Sequence, residues 1–505
     1  MNRNYKARGR EIPMTEPLKT LGAILDELAA ARPTESLLTT AMNSGATETV
    51  SRHELKRWSD NLAQALLDLG VMTGDLVPIH LPTCNQFLVA AVAIFKAGGT
   101  PMPVSSKLPP AELMGLIDLA QPKVIISYQR FDQTTLNPDS YSDKEPISAA
   151  LPHRVSNPIK ALASGGSTGK PKLILTTGDA LFDPENPIIP QLMRFEPGDL
   201  KYSPGPLYHN GPFWFSLNML IRGGRVLLNE RFNAARCLDL IEAYRPTVLN
   251  LVPTMMQRML REPDWQQRNL DSVRVLWHLA APCPSWAKEG FIEKLGGERV
   301  LELWAATEAN GLTIIDGNEW RQHKGSVGKG IGTEILILDE NRESLPNGVV
   351  GEIFTRIAGG PPPCEYLGSQ PLENLLEGFT SVGDLGWLDD DGYLYLADRR
   401  TDLIISGGSN IFPAEVEAVI TQHPQVRDAA VVGLQDDDLG RRVHAVVEPL
   451  AALNTDTLTI ELLDLCREQL LSYKVPRTIE LVETLPRNEA GKIRRTLLRD
   501  QRDMQ

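Results

Sequence analysis

The segment ASGGSTGKPK, residues 163–172, combines backbone and side-chain groups that could hold phosphate. Its three glycines allow positive φ values and let the backbone approach a ligand closely. Successive N–H groups in such a loop form an anion-binding nest, and the Ser, Thr and Lys side chains add donors. The segment does not fit the pattern G-x-x-x-x-G-K-[ST], because Ser164 replaces the first glycine and Pro171 replaces the hydroxyl residue. A phosphate site and a flexible Gly/Ser-rich loop therefore both remain open here.

Two further segments place ligand-type side chains beside apolar or turn residues. In WAATEANGLT (304–313), Thr307 and Glu308 follow the apolar segment RVLEL. Ligands bind at the carboxyl ends of strands in open parallel sheets, and a hydroxyl beside a carboxylate suits Mg²⁺ with phosphate oxygens. In SPGPLYHNGPF (203–213), His209 lies between turn residues. Both segments also have an explanation without a ligand. Thr307 and Glu308 could be two solvent-exposed loop residues, and His209 could be a turn histidine held by backbone hydrogen bonds.

The C-terminal part of the chain contributes charged residues near glycines. Asp384 follows a glycine in TSVGDLGWL, and Arg399 ends the segment YLYLADR. Between them, Asp389–Asp391 and the next glycine are typical of a hairpin turn rather than of a metal site. Lys492 follows a glycine in NEAGKIRR, ahead of a basic helix. Such a terminal helix is ordinarily a solvated surface.

Alternating helix-like and strand-like segments must position these residues. The helical patterns ELKRWSDNLAQALLDLG, FLVAAVAIFKAG and AELMGLIDLAQ are separated by the apolar segments GDLVPIHL, TPMPV and KVIISY. This alternation predicts right-handed βαβ crossovers and a largely parallel sheet. The segments RVLLN, TVLNLV, VRVLWHLA and RVLELWAA continue the pattern to about residue 306.

Two changes of pattern divide the rest of the chain. From Gly325 onward, glycine-punctuated β segments predict a smaller barrel-like or mixed subdomain. Beyond Asp398–Thr401 lies a compact α/β pattern that ends in a basic tail. Because 505 residues are too many for one ordinary core, we predict a large domain of residues 1–399 and a small domain of residues 400–505.

Composition excludes several functional classes. The net charge of −13 argues against a nucleic-acid-binding surface. The five cysteines are scattered and lack CxxC spacing, which argues against a disulfide framework or a zinc site and fits a reducing compartment. No apolar run reaches the ~18 residues of a membrane span, and the N-terminus lacks a signal-peptide pattern. We therefore expect a cytoplasmic protein with no membrane span.

The phosphate-type segment, the His209 segment, WAATE, GD…DRRTD and NEAGKIRR occur in the order and approximate spacing of the adenylate-forming superfamily. The chain thus resembles acyl-CoA ligases, peptide-synthetase adenylation domains and firefly-type luciferases over nearly its whole length. PLYHNGPF and HLAAPCP resemble most the bacterial bile-acid or steroid-type CoA ligases. The resemblance implies an α/β fold, in which a large N-terminal adenylating domain, with parallel α/β subdomains and a small β-barrel-like subdomain, precedes a smaller, mobile α+β C-terminal domain.

The resemblance also implies the contacts to ATP, residue by residue. One departure is Gly165, where most members of the superfamily have a hydroxyl residue. The implied contacts are Ser164, Gly165, Gly166, Ser167, Thr168, Gly169 and Lys172 for the β- and γ-phosphates; Ala280, Ala281, Pro282 and Trp304 for adenine; Asp384 and Arg399 for ribose; and Thr307 and Glu308 for the α-phosphate and Mg²⁺, with Glu308 as the metal ligand.

The remaining implied roles concern the acid and CoA. Lys492 matches the lysine that bridges the acid's carboxylate and the α-phosphate, and Thr401 matches the hinge, where many relatives have Asp or Lys. The acyl pocket would be lined by His209 at its mouth and by Phe213, Trp214, Val252, Asn310 and Gly311. Ser406, Gly407 and Gly408 would line the CoA tunnel.

The implied activity is that of an acid–CoA ligase that uses ATP, Mg²⁺ and CoA. An apolar pocket fits a bulky, mostly hydrophobic carboxylic acid. Two alternatives remain open: transfer of the acyl group to a carrier-protein thiol, an amine or another nucleophile, and a homologue that binds nucleotide or acyl ligand without turnover. The sequence leaves the oligomeric state open, with a homodimer as one candidate.

Overall fold

Most of the chain is described by a computed structural model. The described ranges are residues 6–7, 10–11, 18–164, 171–186, 188–357, 364–371, 378–399, 402–450, 455–487 and 493–503. Within these ranges, no helix is both long and apolar enough to cross a bilayer.

The N-terminal segment forms helices and a parallel sheet, as its pattern predicted. Its elements are β1 (Lys6–Ala7), β2 (Arg10–Glu11), β3 (Lys19–Thr20), α1 (Leu21–Ala31), β4 (Ser36–Ala41), β5 (Thr47–Ser51), α2 (Arg52–Asp68), β6 (Leu76–Leu81), α3 (Asn85–Ala97), β7 (Thr100–Ser105), α4 (Pro110–Ala120), β8 (Val124–Ser127) and β9 (Thr134–Leu136). Helix α2 begins with a capping box between Ser51 and Glu54. The strands β7, β6, β8 and β9 pair in that order, all in parallel.

The middle segment supplies most of a second, larger parallel sheet. Its elements are β10 (Lys160–Ser164), β11 (Lys172–Thr176), β12 (Leu181–Phe182), α5 (Ile188–Met193), β13 (Leu200–Ser203), α6 (Asn210–Ile221), β14 (Arg225–Asn229), α7 (Ala234–Tyr244), β15 (Val248–Leu251), α8 (Pro253–Leu260), β16 (Val275–Leu279), α9 (Ser285–Leu295) and β17 (Val300–Ala305). Strands β4, β14, β13, β15, β16 and β17 pair in this order and in parallel. The predicted βαβ architecture is therefore confirmed.

The glycine-punctuated segment is antiparallel and extends the same sheet. Its elements are β18 (Leu312–Asp316), α10 (Gly317–Gln322), β19 (Ser326–Gly330), β20 (Thr333–Leu338), β21 (Gly351–Ile357), β22 (Cys364–Leu367), β23 (Asp384–Leu388) and β24 (Leu394–Arg399). Because β18 pairs with β17, the antiparallel strands continue the parallel ones in a sheet of 13 strands among the described residues. Strand β22 leaves this sheet and pairs with β11, which also pairs with β10.

The C-terminal unit has a core of its own. Its elements are β25 (Ile404–Ser406), β26 (Ser409–Ile411), α11 (Pro413–Ile420), β27 (Val426–Asp436), β28 (Gly440–Pro449), α12 (Thr455–Gln469), β29 (Thr478–Leu481) and α13 (Arg495–Asp503). Apolar side chains from these helices and strands pack together, apart from the core of the large sheet. Arg261 joins the two parts, because its guanidinium donates to the carbonyls of Val426 and Arg427, both at 2.9 Å.

Candidate active site

Two loops at the carboxyl ends of β16 and β17 contain strained backbone. Ala280, directly after β16, has φ +80°, and Ala309, after β17, has φ +55°. Such left-handed conformations are unfavourable for a residue with a Cβ and concentrate at functional sites. The predicted adenine-flanking residues Ala280, Ala281 and Pro282 are all exposed. These loops therefore present accessible backbone at the edge where parallel sheets bind ligands.

A hydrogen bond joins the predicted adenine and ribose residues. The Trp304 indole Nε1 donates to Asp384 Oδ2 at 3.2 Å, across 80 positions of sequence. Asp384 lies directly opposite Arg399 in the hairpin of β23 and β24. The hairpin turn contains Asp389, which accepts from the backbone N–H groups of Asp391 and Tyr393, so the turn prediction is confirmed. The fold thus brings the predicted ribose pair next to the predicted adenine platform.

The predicted magnesium ligand is held by a tyrosine that the motifs did not indicate. Glu308 is 8% exposed, and the Tyr366 hydroxyl donates to its Oε1 at 2.6 Å. The ammonium of Lys172, a predicted phosphate contact, lies 4.0 Å from the centre of the Tyr366 ring. This contact arises because β22 pairs with β11. The only sequence signal for Tyr366 is an apolar-alternating segment, CEYL, which gives no hint of its partner.

The donor set around Glu308 suits a cation that arrives with the nucleotide. Among the described residues, no group of three or more His, Cys, Asp or Glu side chains is arranged to hold a metal ion. Magnesium is commonly bound by one or two carboxylates together with substrate phosphates and water. A single buried carboxylate near Lys172, a predicted phosphate contact, therefore fits Mg²⁺ bound to ATP.

The His209 segment begins helix α6. His209 is the residue before the helix, and its ring lies 4.5 Å from that of Tyr208, centre to centre. Phe213 is fully buried and packs edge-to-face against Phe87 in the core, at 6.2 Å. Trp214 is half-buried and faces Phe182. The tryptophan is therefore the more accessible of the two aromatic residues predicted to line the acyl pocket.

Three other predicted pocket residues lie in the connections that precede α8 and β18. Val252 is the half-buried residue before α8. Asn310 is buried, and its amide donates to the Thr380 hydroxyl at 3.1 Å, which fixes its side chain. Gly311 is required for packing, since a Cβ there would lie 2.6 Å from Thr333 Cγ2. Gly311 thus lets β18 approach its neighbours closely.

The predicted CoA-tunnel residues form a tight hairpin. Ser406 ends β25, and Gly407 and Gly408 occupy the two turn positions with φ +55° and +82°. Positive φ at both central positions defines a type I′ turn, which strongly favours glycine. The turn alone accounts for both glycines.

Several predicted residues lie outside the described ranges: Gly165, Gly166, Ser167, Thr168, Gly169, Thr401 and Lys492. Of Ser164 and Arg399, only the strand positions are described.

Known proteins resemble this chain in sequence and fold. The AMP-binding enzyme family matches residues 26–360, and the AMP-binding enzyme C-terminal domain matches residues 415–492. A feruloyl-CoA synthase from Amycolatopsis is 30% identical over 90% of this chain and 94% of its own length. A 2-succinylbenzoate–CoA ligase from Bacillus licheniformis is 29% identical over 88% of this chain and 92% of its own. The o-succinylbenzoate CoA synthetase of Bacillus subtilis, solved with its acyl-adenylate intermediate, aligns with a TM-score of 0.81 and 26% identity over 96% of this chain and 99% of its own.

The fold and these likenesses define an adenylating ligase with a large N-terminal and a smaller C-terminal domain. The chain belongs to the AMP-binding enzyme family. Its activity is ATP-dependent acid–CoA ligation, with ATP and CoA as substrates, as the motifs predicted.

Proposed function

We propose that this ligase converts a bulky, mostly hydrophobic carboxylic acid and ATP to acyl-AMP and pyrophosphate, and then transfers the acyl group to CoA with release of AMP. The observation that carries the proposal is the Trp304–Asp384 hydrogen bond, which joins the end of β17 to the β23–β24 hairpin. It orients an aromatic ring for adenine beside a carboxylate that can accept from two vicinal ribose hydroxyls. The same edge of the sheet carries Glu308.

In the first step, a carboxylate oxygen of the acid attacks the α-phosphorus in line, and pyrophosphate leaves. Both reactants are anions, so positioned positive charge must offset their repulsion. We assign this task to Lys492, which would bridge the acid's carboxylate and the α-phosphate. Glu308 would hold Mg²⁺, which supplies Lewis-acid stabilisation of the phosphate oxygens. Tyr366 fixes the Glu308 carboxylate in place.

In the second step, the CoA thiol attacks the acyl carbon, and AMP leaves. This step does not need Lys492, but water must stay excluded between the two steps. We propose that the C-terminal domain, residues 400–505, rotates about Thr401 and replaces the lysine loop by the Ser406–Gly408 hairpin. The absence of side chains at two turn positions favours the passage of a thin pantetheine chain near this hairpin.

The substrate class is supported by the predicted pocket residues and by the relatives. Phe213, Trp214 and Val252 are apolar, which suits a bulky hydrophobic acid. The relatives named above act on ferulate and 2-succinylbenzoate. The segments 206–213 and 278–284 motivate a polycyclic acid of the bile-acid or steroid type as a second class. We also propose that the enzyme is cytoplasmic. Whether it forms a homodimer can be tested by light scattering of the purified protein.

Nucleotide product analysis tests the proposal. The enzyme is incubated with ATP, Mg²⁺ and a panel of aromatic and polycyclic acids, with and without CoA. AMP formation with matching CoA consumption supports the proposal and identifies the acid class. AMP that forms only when hydroxylamine or an amine replaces CoA would assign a different acceptor. Formation of ADP, or no turnover of any acid, would contradict it.

A further inference from the structure

One face of the small sheet β10–β11–β22 points toward the adenylation site. Lys160, Thr176 and Cys364 lie side by side across its three strands. Tyr366 is two residues further along β22 and therefore projects from the same face as Cys364. Because the Tyr366 hydroxyl reaches Glu308, this face borders the space between Glu308 and helix α6.

Lys160 is a buried cation with no counter-ion among the residues that the structure describes. Its side chain is almost fully covered, with 3% of the residue exposed, and its Nζ lies 4.4 Å from the centre of the Trp214 ring. Among the described residues, this ammonium has no hydrogen bond or ion pair, and its neighbour is the Trp214 ring. Burial lowers the pKa of Lys160 to about 8, so the group is still mostly protonated at pH 7. An unpaired buried charge is costly for the fold.

The neighbours of Lys160 do not supply the missing negative charge. The Thr176 hydroxyl is buried and also has no hydrogen-bond partner among the described residues. Burial raises the pKa of the Cys364 thiol to about 12, so it stays neutral. In the part of the chain that the structure describes, the other buried lysines each have an acceptor: Lys96 at Asp60 (2.5 Å), Lys201 at Ser216 (3.0 Å) and Lys288 at Glu302 (2.6 Å).

We propose that Lys160 and Thr176 bind a second carboxylate on the acid substrate, with Trp214 packed against the carbon skeleton next to it. The inference rests on the proposed function, because it needs the acyl pocket to lie along α6. An ammonium and a hydroxyl on adjacent strands match the two oxygens of one carboxylate. Cys364, which lies opposite Thr176, and Tyr366, which bonds Glu308, are two residues apart on β22. The two donors therefore lie about one strand repeat, ~7 Å, from the Tyr366 position. The acid is therefore dicarboxylic, with an apolar middle.

Calorimetric titration of a matched pair of acids tests this inference. Cinnamate and 4-carboxycinnamate differ only in the second carboxylate. They are titrated into the full-length enzyme with Mg²⁺ and α,β-methylene-ATP, which cannot form the adenylate. We expect the wild type to bind 4-carboxycinnamate about tenfold to a hundredfold more tightly than cinnamate, the range for a charge-assisted hydrogen bond. Lys160→Met should abolish this preference, and Thr176→Val should reduce it.

Lys201→Met is the matched control, because Lys201 is another buried lysine beside α6 but already bonds Ser216. It should keep the preference of the wild type. An equal preference in the wild type and Lys160→Met, or no binding of either acid, would overturn the inference. The binding assay involves no turnover. If the product analysis shows AMP and CoA consumption but the preference is missing, only the inference fails.

Urea unfolding of the ligand-free enzyme at pH 7 provides a second readout. If the charge of Lys160 is compensated only by a bound ligand, Lys160→Met removes an uncompensated buried charge from the ligand-free enzyme and should raise the urea midpoint. Lys288→Met should lower the midpoint, because it leaves the Glu302 carboxylate buried without its partner. A lower midpoint for Lys160→Met would indicate that the lysine instead stabilises the fold through Trp214, and would contradict the inference.

Discussion

The proposed nucleotide side of the site consists of Trp304, Glu308, Tyr366 and Asp384, and the proposed acyl side of Lys160, Thr176 and Trp214. The two sides differ in how their polar groups are hydrogen-bonded. On the nucleotide side, an indole bonds one carboxylate and a phenol bonds the other. On the acyl side, the Thr176 hydroxyl is buried without a hydrogen-bond partner among the described residues, and none of those residues bonds the Lys160 ammonium on the neighbouring strand.

The difference shows two ways of preparing a binding site. The nucleotide side is oriented by the protein itself, so ATP meets side chains that are already in place. Preorganised polar groups of this kind cost little reorganisation during the reaction. On the acyl side, the Lys160 ammonium and the Thr176 hydroxyl are donors that need an acceptor from the ligand. A ligand without such an acceptor would leave these buried donors unpaired, and this penalty makes the site selective. In this proposal, the chain's own hydrogen bonds orient the ATP site, whereas the acid site is completed only by its ligand.

The largest expected effect concerns Lys492, to which we assign contacts with both the acid's carboxylate and the α-phosphate. Lys492→Ala should slow acyl-AMP formation roughly 10²–10³-fold, the scale for losing one preorganised electrostatic group. Conversion of supplied acyl-AMP and CoA to acyl-CoA should largely survive. Separate assays of the two half-reactions measure this. Equal losses in both would contradict the proposed rotation of the C-terminal domain.

Asp384 tests whether the two sides act on different substrates. Asp384→Ala removes the acceptor for the ribose hydroxyls and the partner of Trp304, and should raise the KM for ATP about tenfold or more, the range for hydrogen bonds to a charged group. The KM for the acid should change far less. Initial rates at varied ATP and varied acid compare the two. The reverse pattern would remove Asp384 from the ribose site.

Tyr366 tests the orientation of Glu308. Tyr366→Phe keeps the ring under Lys172 but removes the hydroxyl that holds the carboxylate, and should lower kcat about threefold to tenfold, the range for one hydrogen bond. The matched control is Tyr395→Phe, because Tyr395 also donates to a carboxylate, that of Asp389, which lies at the turn end of the β23–β24 hairpin, opposite the end that carries Asp384 and Arg399. Steady-state rates should separate the two variants. Similar rates for both would show that the bond to Glu308 does not serve the reaction.

The smallest expected effect concerns the strained backbone of the nucleotide side. Ala309→Gly should raise the free energy of unfolding by about 1 kcal/mol, because glycine adopts φ +55° without strain. Ala305→Gly, four residues earlier in β17, should lower it by about 0.5–1 kcal/mol, because glycine loses more entropy in a strand. Urea midpoints measure both. A loss of stability in Ala309→Gly would show that the loop holds no strain at this residue.

Much of the fold follows from local patterns. Strand and helix periods predicted the parallel sheet, and the polar residues after RVLEL predicted a site at its carboxyl edge. The sequence also predicted the Asp-rich hairpin turn. These features depend on neighbours within a few residues, where periodicity and turn preferences act. The boundary at residues 399–400 and the residue roles remain predictions.

The sequence by itself determined which segments become strands and helices, and which residues have the chemistry for nucleotide and acid. Tertiary structure alone decided the partners: Tyr366 for Glu308, Trp304 for Asp384, and Trp214 for Lys160. Each partnership spans 54 to 80 positions of sequence, as the residue numbers show. Such pairs form only when β22 leaves the large sheet for β11 and when β23 and β24 join it. No local pattern encodes that choice, because it depends on the summed packing of the whole sheet.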